Sequence, residues 1–274
     1  MRSILPFLFA IVFLSSCSEY QKALKNEDVK TKYDMAEKLY EEGDYKRAVR
    51  LFEQIAPKYV GRPQGERVMF FFADSYFQNK DYYLSGYQFE RFMKSYPKSE
   101  KIQEASFMGA KSYYMLSPAY SLDQTDTDKA LAKLQTFINT YPESEHFEEA
   151  NTMAKELTSK KEKKQIEIAK QFNKLGAWDY SILVSAITAL DNFVSDNPGS
   201  IYREEALYYR IEATATLALN SVDNKKEERL REALDSYKNL LRYYPESKFK
   251  KKADDLSDKI QKELSTFTVI SDSK

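Results

Sequence analysis

The sequence predicts an all-α protein, a solenoid of about five helical hairpins closed by a C-terminal capping helix. Three observations carry that expectation. Glycine is scarce, with 7 residues in 274, where average usage would give roughly 19; Gly-rich turns of sandwiches and barrels and clustered phosphate-loop glycines are therefore hard to build. Charged residues reach 31% while Tyr and Phe number 21 and 17, and disordered chains lack such aromatics. Finally, a four-residue corner recurs: Tyr96-Pro97-Lys98-Ser99, Tyr141-Pro142-Glu143-Ser144, Asn197-Pro198-Gly199-Ser200 and Tyr244-Pro245-Glu246-Ser247.

Each corner has fixed neighbours. Eight residues after the Pro stands Ala105, Ala150, Ala206 or Ala253. Twelve residues before it stands a small residue, Ser85, Ala130, Ala186 or Ala233, and four further on a large one, Phe89, Leu134, Leu190 or Tyr237. Proline stops a helix because it lacks an N–H and drives its predecessor out of the α region. Serine two residues later reads as the N-cap of the next helix. The small residue lets two antiparallel helices approach, and the large one fills the space beside it. This pattern resembles the tetratricopeptide repeat. The second repeat matches it best, in Ala73, Tyr76, Ser85, Phe89 and Pro97; the first is recognisable in Ala36, Leu39, Gly43, Tyr45, Ala48 and Phe52, with Pro57 early.

Helices are expected near 28–42, 44–57, 64–79, 81–96, 100–117, 125–141, 145–175, 178–196, 201–221, 225–244 and 248–264. The third and fifth repeats carry equal extensions between their helices, and the fourth departs most, with Lys174 where a small residue is expected. The last helix puts Ala253, Leu256, Ile260 and Leu264 on one face, as a solenoid cap requires. The organisation expected is a leader at 1–16, a lipidated tether at 17–27, repeats one to three at 28–142 with a substrate groove, repeats four and five with the cap at 143–264 as a partner-binding half, and a tail at 265–274.

The leader is an address. Ile4–Leu14 is an eleven-residue apolar run after Arg2, too short for the roughly 20 residues of a membrane span and right for a secretory signal. Leu14-Ser15-Ser16-Cys17 resembles the lipobox of bacterial lipoproteins, and Cys17 is the sole cysteine. That resemblance implies cleavage before Cys17, a thioether-linked diacylglycerol and an acylated amino terminus; Ser18 in place of Asp implies delivery to the outer membrane.

Catalytic chemistry finds little to stand on. His146 is the only histidine, so a multi-His zinc site cannot be assembled. Asp123, Asp126 and Asp128 lack the Gly and terminal Glu of a calcium loop and read as turn and capping residues. No cofactor or metal is expected, and zero net charge gives no reason for nucleic-acid binding. The run Lys160–Lys164, interrupted by Glu162, reads as the solvated middle of a long helix, and Trp178 after Gly176-Ala177 as a core residue at a turn. Tyrosine pairs are more telling: Tyr82-Tyr83, Tyr113-Tyr114, Tyr208-Tyr209 and Tyr243-Tyr244 cannot bury both rings in one seam, since adjacent helix positions point about 100° apart. Phe72, Tyr76, Tyr83 and Tyr113 are the candidates for an N-terminal peptide-binding groove.

Lipobox, short tether and tandem hairpins with Tyr-Pro-x-Ser corners together resemble the BamD family of outer-membrane lipoproteins. The resemblance implies a non-enzymatic scaffold of the β-barrel assembly machinery on the periplasmic face of the outer membrane. Its implied partners are the periplasmic domains of a BamA-like barrel protein, unfolded outer-membrane proteins, and the membrane itself through the lipid anchor. The alternative is a periplasmic repeat lipoprotein that organises cell-wall synthesis or another envelope complex.

Overall fold

The four corners form in the same way. In the computed structural model, which describes residues 19–62 and 64–271, the residue before each corner proline has φ between −126° and −135° and ψ between 61° and 74°. Its N–H closes the preceding helix: Tyr96 donates to Phe92, Tyr141 to Phe137, Asn197 to Phe193 and Tyr244 to Leu240. Its carbonyl then accepts the serine N–H at 3.1 Å in all four corners. The serine side chain accepts the N–H two residues on, at 3.0–3.3 Å. This corrects the expected N-cap role. Serine closes a tight turn first, and the helix begins three residues after it, at Ile102, Phe147, Arg203 and Lys250.

The helices are α1 (Val29–Glu41), α2 (Tyr45–Tyr59), α3 (Gly65–Gln78), α4 (Tyr82–Ser95), α5 (Ile102–Leu116), α6 (Thr125–Thr140), α7 (Phe147–Leu175), α8 (Ile182–Asp196), α9 (Arg203–Leu219), α10 (Asp223–Tyr243) and α11 (Lys250–Ser271). No strand occurs among the described residues. Pro57 is accommodated within the last turn of α2. The two extensions are solved differently: in the third repeat they make a connection at 117–124, whereas in the fifth they lengthen α10, which starts four residues after α9 ends.

The helices sort into two compact units, one formed by the chain through Pro118 together with Asp123–Leu157, the other by Ala119–Leu122 and the chain from Thr158. The division falls inside α7. Both cores use the repeat frame. Ser85, Ala130, Ala186 and Ala233 are fully buried, as are Ala105, Ala150, Ala206 and Ala253 and the large partners Phe89, Leu134 and Leu190. Where the small residue is Ser85, its hydroxyl is satisfied by the Ala73 carbonyl at 3.0 Å, as a buried donor must be. In the first unit an aromatic cluster of Phe70, Phe89 and Phe92 meets edge to face at 5.5–5.6 Å.

Several expectations are corrected. Trp178 is 91% exposed. The space beside its turn is taken by the fully buried Leu183, packed so closely on Gly176 that a Cβ there would lie 2.1 Å from Leu183 Cδ2. Lys174 is exposed, and Asn173, one position earlier, is the buried residue. The lysine run is more than a solvated face: Lys164 Nζ donates to the Leu122 carbonyl at 2.7 Å, and Lys163 sits 4.5 Å from the Tyr120 ring centroid, so the run holds residues 119–122. The stretch expected as a tether is helical at 19–25, because Tyr20 and Ala23 find apolar cover and are buried. At the other end α11 runs past residue 264, with Phe267 packed on the core of the second unit. The leader 1–16 and Cys17 lie outside the described residues.

Two measurements check this packing. Ala186→Leu should overpack its seam and cost about 1–3 kcal/mol, read as a lower urea midpoint, while Lys251→Leu on an exposed position should stay within about 0.5 kcal/mol. The single Trp makes fluorescence specific: native emission should be that of a solvated indole and shift little on unfolding, and a blue-shifted native spectrum would contradict the exposed turn.

Candidate functional site

The four expected groove residues divide into two pairs. Phe72 and Tyr76 lie on α3 and are 4% and 5% exposed. Their rings meet at 4.9 Å, Phe72 also approaches Phe52 at 6.2 Å, and the Tyr76 hydroxyl donates to Glu53 Oε1 at 2.7 Å. Both belong to the seam between α2 and α3, not to a groove. Their spacing is the repeat's own packing spacing, and α3 turns that face inward.

Tyr83 and Tyr113 have another fate. Tyr83 is 67% exposed, and Tyr87, one turn along α4, is 50% exposed. Tyr113 on α5 is half-buried and packs on Gly86 of α4: a Cβ at 86 would stand 3.0 Å from Tyr113 Cε2. Glycine in a helix interior costs up to about 1 kcal/mol relative to Ala, and here it makes room for the ring. The Tyr113 hydroxyl is pushed up to about 12 by burial, then by the charge of Glu90 and a hydrogen bond to it, with a smaller contribution from nearby Tyr83. Glu90 in turn pairs with Lys133 Nζ of α6 at 2.8 Å, and that ammonium stands 5.7 Å from the Tyr113 ring centroid. Beside them opens a cavity of about 240 Å³ floored by Met93, Gly109 and Ala110 and rimmed by Glu90, Tyr113 and Lys133.

This surface offers exposed aromatic faces with hydroxyls, a small apolar floor and one charge of each sign. Gly86, Glu90 and Lys133 were missed in sequence. The only signal for Gly86 was a second small residue directly after Ser85; the ion pair joins residues 43 apart in sequence, which no local pattern reveals.

The second unit holds a larger and more polar cleft. A cavity of about 590 Å³ lies between α7 and α9, lined by Glu167, Lys170, Asn173, Tyr209, Glu212 and Thr216 among others. Asn173 Nδ2 donates to Glu212 Oε2 at 2.8 Å. Lys170 Nζ reaches both Glu167 and Glu205 at 2.9 Å and lies 5.2 Å from the Tyr209 ring centroid. Burial alone would lower its pKa; the hydrogen bonds to Glu205 and Glu167 outweigh that and hold it above the ordinary lysine value. Nearby Tyr208 is pushed up to about 12, chiefly by burial and then by Glu212. Lys170 is thus paired with carboxylates and Glu212 is held by Asn173, which gives the cleft a hydrophilic wall.

Among the described residues no group of three or more His, Cys, Asp or Glu side chains is placed to hold a metal ion, and no helix is long and apolar enough to cross a membrane. His146 is stacked on Phe107 at 4.2 Å, a packing role.

Comparison with known proteins gives two positive findings. The family model described as YfiO, outer membrane lipoprotein, matches residues 25–228 and 179–269. A crystal structure of a Podosopora anserina chain, described as a kinesin light chain of nearly identical TPR-like repeats, is 14% identical over 81% of this chain and 98% of its own, with a TM-score of 0.33. No curated protein matches.

Core and surface tyrosines should separate cleanly on substitution. Tyr76→Ala should cost about 3–5 kcal/mol, the range for truncating a buried aromatic. Tyr83→Ala should change the unfolding free energy measured by urea titration by no more than about 0.5 kcal/mol.

Proposed function

We propose a function from one premise: the chain belongs to the YfiO family of outer membrane lipoproteins. The protein is a non-enzymatic scaffold that assists the folding and insertion of outer-membrane β-barrel proteins by protein–protein binding. Processing at Cys17 supplies its lipid anchor, and it works from the periplasmic face. One partner is a BamA-like barrel protein, bound through the half that begins at residue 143; the others are unfolded barrel chains, received by the half from 28 to 142.

The observation that supports this reading best is the surface of Tyr83, Tyr87 and Tyr113 on α4 and α5. An unfolded barrel chain offers an extended segment with an aromatic end, and exposed aromatic faces with hydroxyls meet such a segment at low entropy cost. Glu90 and Lys133, paired with each other, can orient a chain end without demanding one sequence. The framework of repeated corners supplies rigidity, so binding need not order the receptor.

Tyr83→Ala and Tyr113→Ala together should weaken binding of a synthetic barrel C-terminal peptide by about 1–3 kcal/mol, the scale of moderate hot spots, with the circular dichroism spectrum unchanged. Binding of the BamA-like partner should survive. Depletion in cells should cause general loss of outer-membrane barrels; a division or cell-wall defect with normal barrels would favour the envelope-organising alternative and overturn this reading.

A further inference from the structure

The amino terminus of the first unit is held by packing. Tyr20 is 5% exposed and belongs to the core cluster of α1, α2 and α3. Arg47 of α2 covers its ring, 5.4 Å from the centroid. Ala23, one turn on, is 3% exposed. Glu19 Oε2 meets Lys38 Nζ of α1 at 3.6 Å. The helical stretch 19–25 is thereby clamped to the first hairpin from its second residue.

Only Ser18 and Glu19 separate Cys17 from Tyr20. Three residues reach at most about 10 Å when fully extended. The polar zone of a bilayer takes up roughly 5–8 Å of that on each side of the hydrocarbon core. Acyl chains on Cys17 therefore leave a gap of only a few ångströms between the headgroups and the clamped stretch. That gap is shorter than the Debye length of about 8 Å at physiological salt, so charges facing it are felt by the lipid.

We propose that the first hairpin of this protein rests on the phospholipid surface, seated through the clamped stretch that carries Lys22 and Lys25, and is not suspended from it by a tether. The proposal rests on the lipid-anchor reading of Cys17. Lys22 and Lys25 are exposed on the clamped stretch, while Lys38 and Arg47 of the hairpin are ion-paired with Glu19 and Asp44. Cationic side chains on short clamped elements are the groups that add a second, electrostatic attachment to a lipid anchor. A short clamped anchor also restricts how the unit can turn on the membrane, which a flexible leash would not.

The test uses the full-length, lipidated protein in vesicles of phosphatidylethanolamine and phosphatidylglycerol. With Cys17 acylated, Gln21→Cys, on an exposed uncharged position of the clamped stretch, provides a single free thiol for a fluorophore; Lys129→Cys on α6, exposed and separated from the anchor by the intervening helices, is the control. A nitroxide-bearing headgroup lipid should quench the label at 21 several-fold more than the label at 129. Inserting about twelve Gly/Ser residues after Ser18, which adds roughly 20 Å of reach, should bring the two toward equality while the protein still floats with vesicles. Failure of the unmodified protein to float would defeat the lipid-anchor reading and this inference with it. Flotation with equal quenching at both labels, or quenching at 21 unmoved by the insertion, would overturn the inference alone.

Discussion

At three of the four corners, a hydrogen bond from the serine to a glutamate of an earlier helix ties one hairpin to the next. Ser99 Oγ donates to Glu66 of α3 at 2.6 Å, Ser200 Oγ to Glu162 of α7 at 2.8 Å and Ser247 Oγ to Glu204 of α9 at 2.7 Å. The same oxygen accepts the backbone N–H two residues on. One small side chain therefore fixes the turn and secures it to the preceding repeat. Hydrogen bonds to charged groups are worth about 1.5–3 kcal/mol, more than neutral ones, and these are only partly exposed. With the turn set, the direction of the next helix is set, and the small residue twelve positions before each proline falls opposite its neighbour's backbone.

Inside that frame, aromatic side chains face two ways. On α3 the apolar face is needed for packing, so Phe72 and Tyr76 are core. On α4 the buried stripe is Ser85, Gln88, Phe89 and Phe92, which leaves Tyr83 and Tyr87 outside it. Some tyrosine pairs follow the same logic: Tyr208 is buried while Tyr209 is not, and Tyr243 is half-exposed while Tyr244 is partly buried, whereas Tyr113 and Tyr114 are both partly buried.

The repeat frame and its helices were legible because they rest on local rules: proline after a helix, serine two residues on, small and large residues at fixed offsets. Ala130, Ala186 and Ala233 are buried where those offsets put them. What could not be read depended on contacts distant in the chain. Phe72 and Tyr76 were expected in a groove because their spacing is shared by packing and by binding, and only the position of α2 decides between them. Trp178 was expected inside because a turn with glycine has room for an indole; Leu183 occupies that room. The pairing of Glu90 with Lys133 and the hold of Lys164 on the Leu122 carbonyl join residues about forty apart, beyond any window in which periodicity speaks.

The corner prolines are spaced unevenly, at 45, 56 and 47 residues, yet the corners themselves share one geometry. The joint is conserved in form and the span is not. A lineage built this way can add or delete residues between corners without retuning the joints, as the two extensions illustrate: equal in length, one is a connection held by lysines of α7 and the other a longer α10. Change in such a molecule is inexpensive along the spans and forbidden at the joints. New binding surfaces are therefore most accessible where a span outgrows its neighbours.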